Sequence, residues 1–288
     1  SSDVCSSDLE QPKQMSLLEL LTRTRLQIFT YKQGTMMKNA YPDGAGSGFF
    51  FRHQKHVILV TADHVCHPFD HENGRTQRVF EDKDVALVNN WVEKNENGVD
   101  MPVLTPVGGF YYFDKFKFDI DKGSLDDYKP FDATFAVLGE DRFQRPFKNE
   151  GMAAVNGPVV PAGLDMIAIP NDAVVEPNMD DRYFCYGHTN FGLADDGIHL
   201  KWDTTIHEDM KYCNDYGDYY VLTPAEPIDG KAWHGISGSP VLNQEGGLLG
   251  ILCGGDPKNN AIFVLKMKAV LSLIESSLRI EEIEQNKK

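Results

Sequence analysis

The segment WHGISGSPV, from Trp233 to Val241, decides how the rest of the chain is interpreted. Gly235 and Gly238 leave the backbone around Ser237 without side chains. A substrate carbonyl could therefore approach the Ser237 Oγ while backbone N–H groups point at its oxygen. A surface turn rich in glycine and serine has the same composition. Residues elsewhere in the chain must distinguish a nucleophile from an ordinary turn.

A histidine follows the most apolar strand pattern of the chain. The segments GSGFFF (46–51) and HVILV (56–60) flank a short polar turn, which predicts a β-hairpin. The next residues are TADH, so His64 stands where the second strand ends. Loops at strand ends are where catalytic side chains are usually carried. A surface histidine is the alternative interpretation.

One acid heads an otherwise apolar strand pattern. Asp132 lies in FDATFAVL (131–138). A buried carboxylate costs several kcal/mol unless it is hydrogen-bonded, and a histidine Nδ1–H is a natural donor for it. A cap at the strand start is the alternative.

Composition excludes some classes of partner. The 288 residues are 41% hydrophobic, which is enough for a substantial core and predicts about two domains. There are 28 Lys+Arg and 43 Asp+Glu, and the net charge of -15 disfavours nucleic acid and anionic membrane surfaces as partners. The sequence contains no run of about 18 apolar residues and no targeting signal at its start.

The cysteines predict a reducing compartment. Their number is odd, and their spacing fits no disulfide framework. They are Cys5, Cys66, Cys185, Cys213 and Cys253. We therefore expect free thiols and a cytoplasmic protein, or a secreted or periplasmic one if the native N-terminus is missing.

Periodicity divides the chain into four parts. Residues 1–14 repeat SSD and are expected to be a disordered or non-native leader. Residues 15–145 and 146–265 carry short strand patterns typical of antiparallel barrels, the first preceded by a short helix. Residues 266–288 contain an amphipathic helix and a tail.

Two metal sites were weighed against simpler interpretations. A calcium loop starting at Asp119, with Asp121 and Gly123, would need Glu at position 130, where Pro130 stands. A solvated acidic loop is favoured instead.

The second metal alternative is zinc. Four residues have suitable side chains, and the first two have C-x2-H spacing: Cys185, His188, His207 and Cys213. Cys185 lies within a predicted strand, and buried thiols and surface histidines are favoured. We expect no metal and no cofactor.

The order His64, Asp132, Ser237, with separations of 68 and 105 residues, is more specific than any single motif. It resembles the chymotrypsin-like (trypsin-like) serine peptidases, particularly the bacterial branch that includes the glutamyl endopeptidases and the high-temperature-requirement proteases. The resemblance runs from Leu26 to the C-terminal helix. It implies an all-β fold of two six-stranded antiparallel barrels with the active site between them.

The same resemblance implies a serine endopeptidase that acts on proteins or peptides through an acyl-enzyme. Ser237 would be the nucleophile, His64 the general base and Asp132 the residue that orients the imidazole. The N–H groups of Gly235 and Ser237 would form the oxyanion hole. An inactive protease-like binding module is the alternative function. An α/β-hydrolase esterase is disfavoured because no histidine follows Ser237.

The sequence departs from the family pattern in three places. Val65 follows His64, with Cys66 one residue later, so the disulfide of animal members is not expected. An IVGG-like new N-terminus is absent, which leaves no obvious zymogen switch. Leu252 stands where glutamyl endopeptidases place a histidine, and Cys253 where many members place serine.

A specificity pocket is expected from Lys231, Leu252, Cys253, Gly254 and Gly255. The two glycines would leave room for a sizeable side chain, and Leu252 and Cys253 would supply apolar surface. Lys231 would repel a basic side chain if it pointed inward, although it also fits a surface lysine. We therefore predict cleavage after medium or large uncharged residues.

Overall fold

The described part of the chain belongs mostly to two β-sheets. A computed structural model describes residues 15–36, 41–72, 78, 83–94, 100–119, 124–138, 146–152, 160–193, 200–229 and 233–287. No helix within these ranges is both long enough and apolar enough to cross a membrane.

The first sheet follows a short helix whose first turn is capped by Ser16, which accepts from the Glu19 N–H. Its strands pair in the order β5-β4-β1-β2-β3-β7-β6, and β8 adds to β2 in parallel. The elements of this half are α1 (Leu17–Thr24), β1 (Arg25–Lys32), β2 (Gly44–His53), β3 (His56–Thr61), α2 (Asp63–Cys66), a 3-10 turn (Pro68–His71), β4 (Lys83–Lys94), β5 (Asp100–Val107), β6 (Phe110–Asp119), β7 (Ser124–Leu138), β8 (Ile169–Pro170) and a second 3-10 turn (Asn171–Ala173).

The second sheet closes into a barrel in the order β10-β11-β14-β13-β12-β9. A long helix then covers it, with buried apolar side chains at helical spacing. The elements are β9 (Tyr183–Leu193), β10 (Leu200–Tyr216), β11 (Tyr219–Thr223), β12 (Pro240–Asn243), β13 (Leu248–Asp256), β14 (Ala261–Lys266) and α3 (Met267–Gln285).

One apolar core joins the two halves. Phe49, Leu59 and Phe135 from the first sheet belong to the same buried cluster as Leu265 and Ile274 from the barrel and α3. Each such side chain contributes about 1.5–3 kcal/mol when it is buried. The halves are therefore held against each other by packing, which fixes loops that meet at their junction.

The expected all-β class and both terminal helices are confirmed. The expectation of two closed barrels is correct only for the second half. In the first half, within the described ranges, the sheet is open, with β5 at one edge and β6 at the other. The β4–β5 hairpin extends the sheet beyond β1. The expected leader, residues 1–14, and the expected division near residue 145 fall on or beside residues outside the described ranges, so they stay predictions.

Candidate active site

His64 is held by the carboxylate of Asp132. The Nδ1 of His64 lies 2.9 and 3.0 Å from the two carboxylate oxygens, and the His64 backbone N–H donates to Oδ1 at 3.1 Å. The two residues come from α2 and β7, which pack together. A carboxylate that binds both the ring and the backbone fixes the imidazole with Nδ1 protonated. Nε2 is then available as a base.

Nearby carboxylates set the charge preference of His64. Burial opposes the charged imidazolium, but the charge and hydrogen bond of Asp132 and the charge of Asp63 outweigh it. Together they raise the pKa of His64 above its ordinary value. Such a shift favours an imidazole that takes up a proton during a reaction.

The serine loop, residues 235–238, has a backbone that only glycine fits at two positions. Gly235 has φ +104° and Gly238 has φ +89°, both in the left-handed region. A Cβ on Gly238 would collide with the carbonyl oxygen of Ser47, and a Cβ on Gly235 would lie 2.6 Å from the carbonyl oxygen of His188. The glycines of the motif therefore satisfy a packing requirement.

The loop is anchored by two backbone hydrogen bonds, one through a carbonyl and one through an N–H group. The Ser237 carbonyl accepts from the Ser47 N–H at 2.8 Å, and the Gly238 N–H donates to the Leu252 carbonyl at 2.8 Å. Within the described part of the chain, the N–H groups of Gly235 and Ser237 donate to no other residue. Two donors are thus left for an oxygen atom placed beside Ser237.

His64, Gly235 and Ser237 line one cavity of about 1100 Å³. No hydrogen bond joins the Ser237 Oγ to His64 among the described contacts; this bond is often long until substrate binds. The lining residues are Thr30, Lys32, Gln33, Asp43, Gly44, Ala45, His64, Val65, Pro68, Phe69, Lys83, Ile228, Trp233, His234, Gly235, Ser237, Gly255 and Pro257.

Of the expected pocket residues, the structure places Gly255 in the cavity wall. Leu252 is only 1% exposed and packs into the barrel core. The prediction that its side chain lines the pocket is therefore wrong. The strand alternation turns this side chain inward. The Cys253 Sγ faces the Asp132 carbonyl at 3.5 Å, and neither Cys253 nor Gly254 lines the cavity. Lys231 lies outside the described residues.

Sequence reasoning missed a buried acid beside His64. Asp63 is fully buried and lies 2.8 Å from the Nδ1 of His67, 2.8 Å from the Nε2 of His71 and 2.9 Å from the Arg78 guanidinium. Burial opposes its charge, but these hydrogen bonds and charges hold its pKa well below the usual range. The signal in the sequence was an acid directly before His64, followed by two further histidines.

The calcium and zinc alternatives, which the sequence disfavours, concern residues that the structure describes only in part. Among the described residues, three or more His, Cys, Asp or Glu side chains do not converge as metal ligands. Cys185 and His207 are paired in register on β9 and β10. Burial raises the pKa of the Cys185 thiol to about 12, which disfavours the thiolate that zinc needs. Of the calcium candidates, residues 121 and 123 lie outside the described residues.

Comparisons with known proteins give little beyond the fold. No protein-family model matches the chain, and no curated protein matches its sequence. Among solved structures, the chain is similar to one described as the serine endoprotease from Yersinia pestis. The identity is 12%, the TM-score is 0.43, and the match covers 94% of this chain and 68% of the other. At that similarity, the match assigns no activity to this chain.

Proposed function

We propose that the protein is a serine endopeptidase whose triad is His64, Asp132 and Ser237. One observation carries the proposal: Ser237 shares a cavity with His64, whose Nδ1 is held by Asp132. Among the described residues, the backbone N–H groups of Gly235 and of Ser237 itself donate to no other group. A nucleophile, a base, an orienting acid and oxyanion donors are the groups that acyl transfer requires.

In the proposed reaction, the Nε2 of His64 takes the proton of the Ser237 hydroxyl as Oγ attacks the peptide carbonyl carbon. The negative charge on the carbonyl oxygen is stabilised by the N–H groups of Gly235 and Ser237. The C–N bond then breaks, and His64 returns the proton to the leaving amine. Water, deprotonated by His64, hydrolyses the acyl-enzyme and restores Ser237.

The side chain before the cleaved bond is proposed to be medium or large and uncharged. The cavity wall at Gly255 continues into Ile228 and Trp233. A Cβ added at Gly255 would lie 3.3 Å from Ile228 Cδ1, so the isoleucine that lines the cavity adjoins this glycine. Apolar surroundings favour Leu, Met or Phe over Arg, Lys or Glu. A peptide library that varies this position tests it; the highest kcat/KM for Arg, Lys or Glu would overturn this preference.

The activity is tested by fluorophosphonate labelling and by cleavage of a denatured proteome. The wild type should be labelled and should cleave, whereas Ser237→Ala should lose labelling and lower kcat by about 10⁴ or more. Ser272→Ala is a matched control, because Ser272 lies exposed on α3 and bonds only within the helix. A folded wild type that neither labels nor cleaves would favour the inactive binding module.

A further inference from the structure

A buried arginine stands behind the serine loop and does not line the cavity. The side chain of Arg25, at the start of β1, is 2% exposed. Its Nε–H donates to the Ser47 Oγ at 3.0 Å, one terminal nitrogen lies 3.2 Å from the Nδ1 of His188, and the other donates to the Gln27 side-chain carbonyl. A buried guanidinium is tolerated only where its donors are satisfied. Arg25 therefore binds β1, β2 and β9 together.

Glu150 supplies the opposite charge. Its Oε1 lies 2.5 Å from the Nε2 of His188 and 3.9 Å from an Arg25 terminal nitrogen, and it accepts from the Tyr186 hydroxyl at 2.5 Å. Because the Nε2–H of His188 donates to Glu150, its Nδ1 can accept from Arg25, which also holds the Gln27 side-chain oxygen that lies 2.7 Å from Nδ1. The cluster thus balances one positive and one negative charge around a neutral imidazole.

Ser47 connects this cluster to the serine loop. Its N–H donates to the Ser237 carbonyl at 2.8 Å, and its Oγ lies 3.4 Å from the Gly235 carbonyl oxygen. Because Arg25 donates to the Ser47 Oγ, the hydroxyl proton is directed toward Gly235. Ser47 therefore contacts the carbonyl groups of the two residues whose N–H groups form the proposed oxyanion hole.

The opposite side of Gly235 is closed by His188. A Cβ added to Gly235 would lie only 2.6 Å from the His188 carbonyl oxygen, so this oxygen packs directly against Gly235. Gly235 is thus enclosed by Ser47 on one side and His188 on the other. Arg25 bonds to both.

We propose that Arg25 is a positioning residue that holds the oxyanion donors in place through Ser47 and His188. The inference rests on the proposed peptidase function. It assigns to a buried side chain, remote from the substrate, a part of the transition-state stabilisation. Because the serine loop is held by few other described bonds, displacement of Ser47 would misplace the donors, and donor misplacement affects the transition state more than substrate binding.

The test uses Ser47→Ala and Arg25→Lys in the full chain. Ser47→Ala keeps the backbone bond to Ser237 and removes only the hydroxyl, whereas Arg25→Lys keeps the charge and loses the forked donors. We expect kcat to fall about tenfold for Ser47→Ala and about hundredfold for Arg25→Lys, with KM within about twofold. Affinity for a peptide boronic acid with leucine at the boron should fall in parallel, because its tetrahedral adduct places an oxygen among the donors.

Tyr220→Phe is the matched control, because it removes one part-buried hydrogen bond, to Glu176, and neither residue lines the cavity. It should lower Tm without changing kcat or boronate affinity. If Arg25→Lys does not fold, Ser47→Ala decides. Folded variants with wild-type kcat and boronate affinity, or with only a raised KM, would overturn the inference while the peptidase proposal stands. An inactive, unlabelled wild type would overturn both.

Discussion

The described part of the molecule contains two histidine–carboxylate pairs whose neighbouring charged groups have opposite signs. In the first, His64 lies on the cavity beside Asp132, with the negative Asp63 nearby, and its pKa is raised. In the second, His188 is buried against Glu150 beside the positive Arg25, and burial and that charge lower its pKa to about 4. The same two kinds of side chain thus give an imidazole ready to accept a proton and one kept neutral.

The difference shows that a hydrogen-bonded histidine and carboxylate do not by themselves mark an active site. The role of each histidine depends on whether its ring is accessible from the cavity and on the charge of the third group beside it, which is Asp63 for His64 and Arg25 for His188. His64 opens onto a cavity that contains a serine, whereas His188 joins two halves of the fold. Substitutions within the two pairs and at the neighbouring Asp63 should show whether the two roles separate.

The largest effect on kcat is expected when each of the two histidines is substituted separately. His64→Ala should lower kcat by about 10⁴ or more with little change in Tm, because it removes the base from the cavity wall. His188→Gln should keep kcat within about tenfold and lower Tm, because its ring is buried. Steady-state kinetics and thermal unfolding of both variants check this. Equal losses of kcat would remove the distinction between the pairs.

Substitution of the two carboxylates, Asp132 and Glu150, should also affect kcat to very different extents. Asp132→Asn should lower kcat by about 10⁴, because an amide donor favours the imidazole tautomer whose Nε2 carries the proton. Glu150→Gln leaves the cavity side chains intact, so its effect on kcat should be far smaller. The measurement is kcat under saturating substrate, with circular dichroism to show that both variants fold. A nearly unchanged kcat for Asp132→Asn would contradict the assignment.

Asp63→Asn tests the neighbour of the first pair. Loss of a buried charge that is bonded to Arg78 should lower the free energy of unfolding by about 3 kcal/mol. Loss of its negative charge should also move the acidic limb of kcat/KM to lower pH, because less charge then favours imidazolium at His64. Asp114→Asn, at a more exposed partner of Arg78, is the control for stability. A limb that moves to higher pH would contradict the role given to Asp63.

The smallest effect concerns the second pair and pH. The folded pKa of His188 lies near 4, below the ordinary value of 6.5, so the unfolded chain binds its proton first as pH falls. The His188 contribution to stability should fall by on the order of 2 kcal/mol between pH 6.5 and 5. Urea unfolding at both pH values should show this loss in the wild type and a smaller one in His188→Gln. An equal loss of stability in both proteins would show that a group other than His188 takes up the proton.

The sequence sufficed for the parts of the structure that depend on local pattern. The hairpin around 46–60, the C-terminal helix and the strand-rich character of 146–265 follow from alternation and periodicity. The four-residue strand β12 follows the serine loop directly and is too short to show a period. The open first sheet depends on pairing of β4 and β5 beyond β1, which is a nonlocal property.

The site divides in the same manner. The sequence singles out His64, Asp132 and Ser237 as candidates because each stands at an irregularity in an otherwise regular pattern. The structure brings His64 to Asp132 and places His64 and Ser237 on one cavity. The sequence did not predict the pairing of Asp63 with Arg78, because the two residues are 15 positions apart and meet only in the folded chain. Leu252 was assigned to the pocket from its family position, although burial on the inner face of the barrel decides where it points.

Gly238 has a consequence for tracing the descent of this chain. Its lack of a side chain is required by the Ser47 carbonyl, which belongs to the packing of the two halves and takes no part in bond cleavage. A relative that lacked the proposed hydrolysis would still be under selection to retain glycine there, whereas its serine and histidine would be free to drift. In a survey of related genomes, glycine at this position would report inheritance of the architecture. Only joint retention of Ser237, His64 and Asp132 would report that the chemistry had been inherited too.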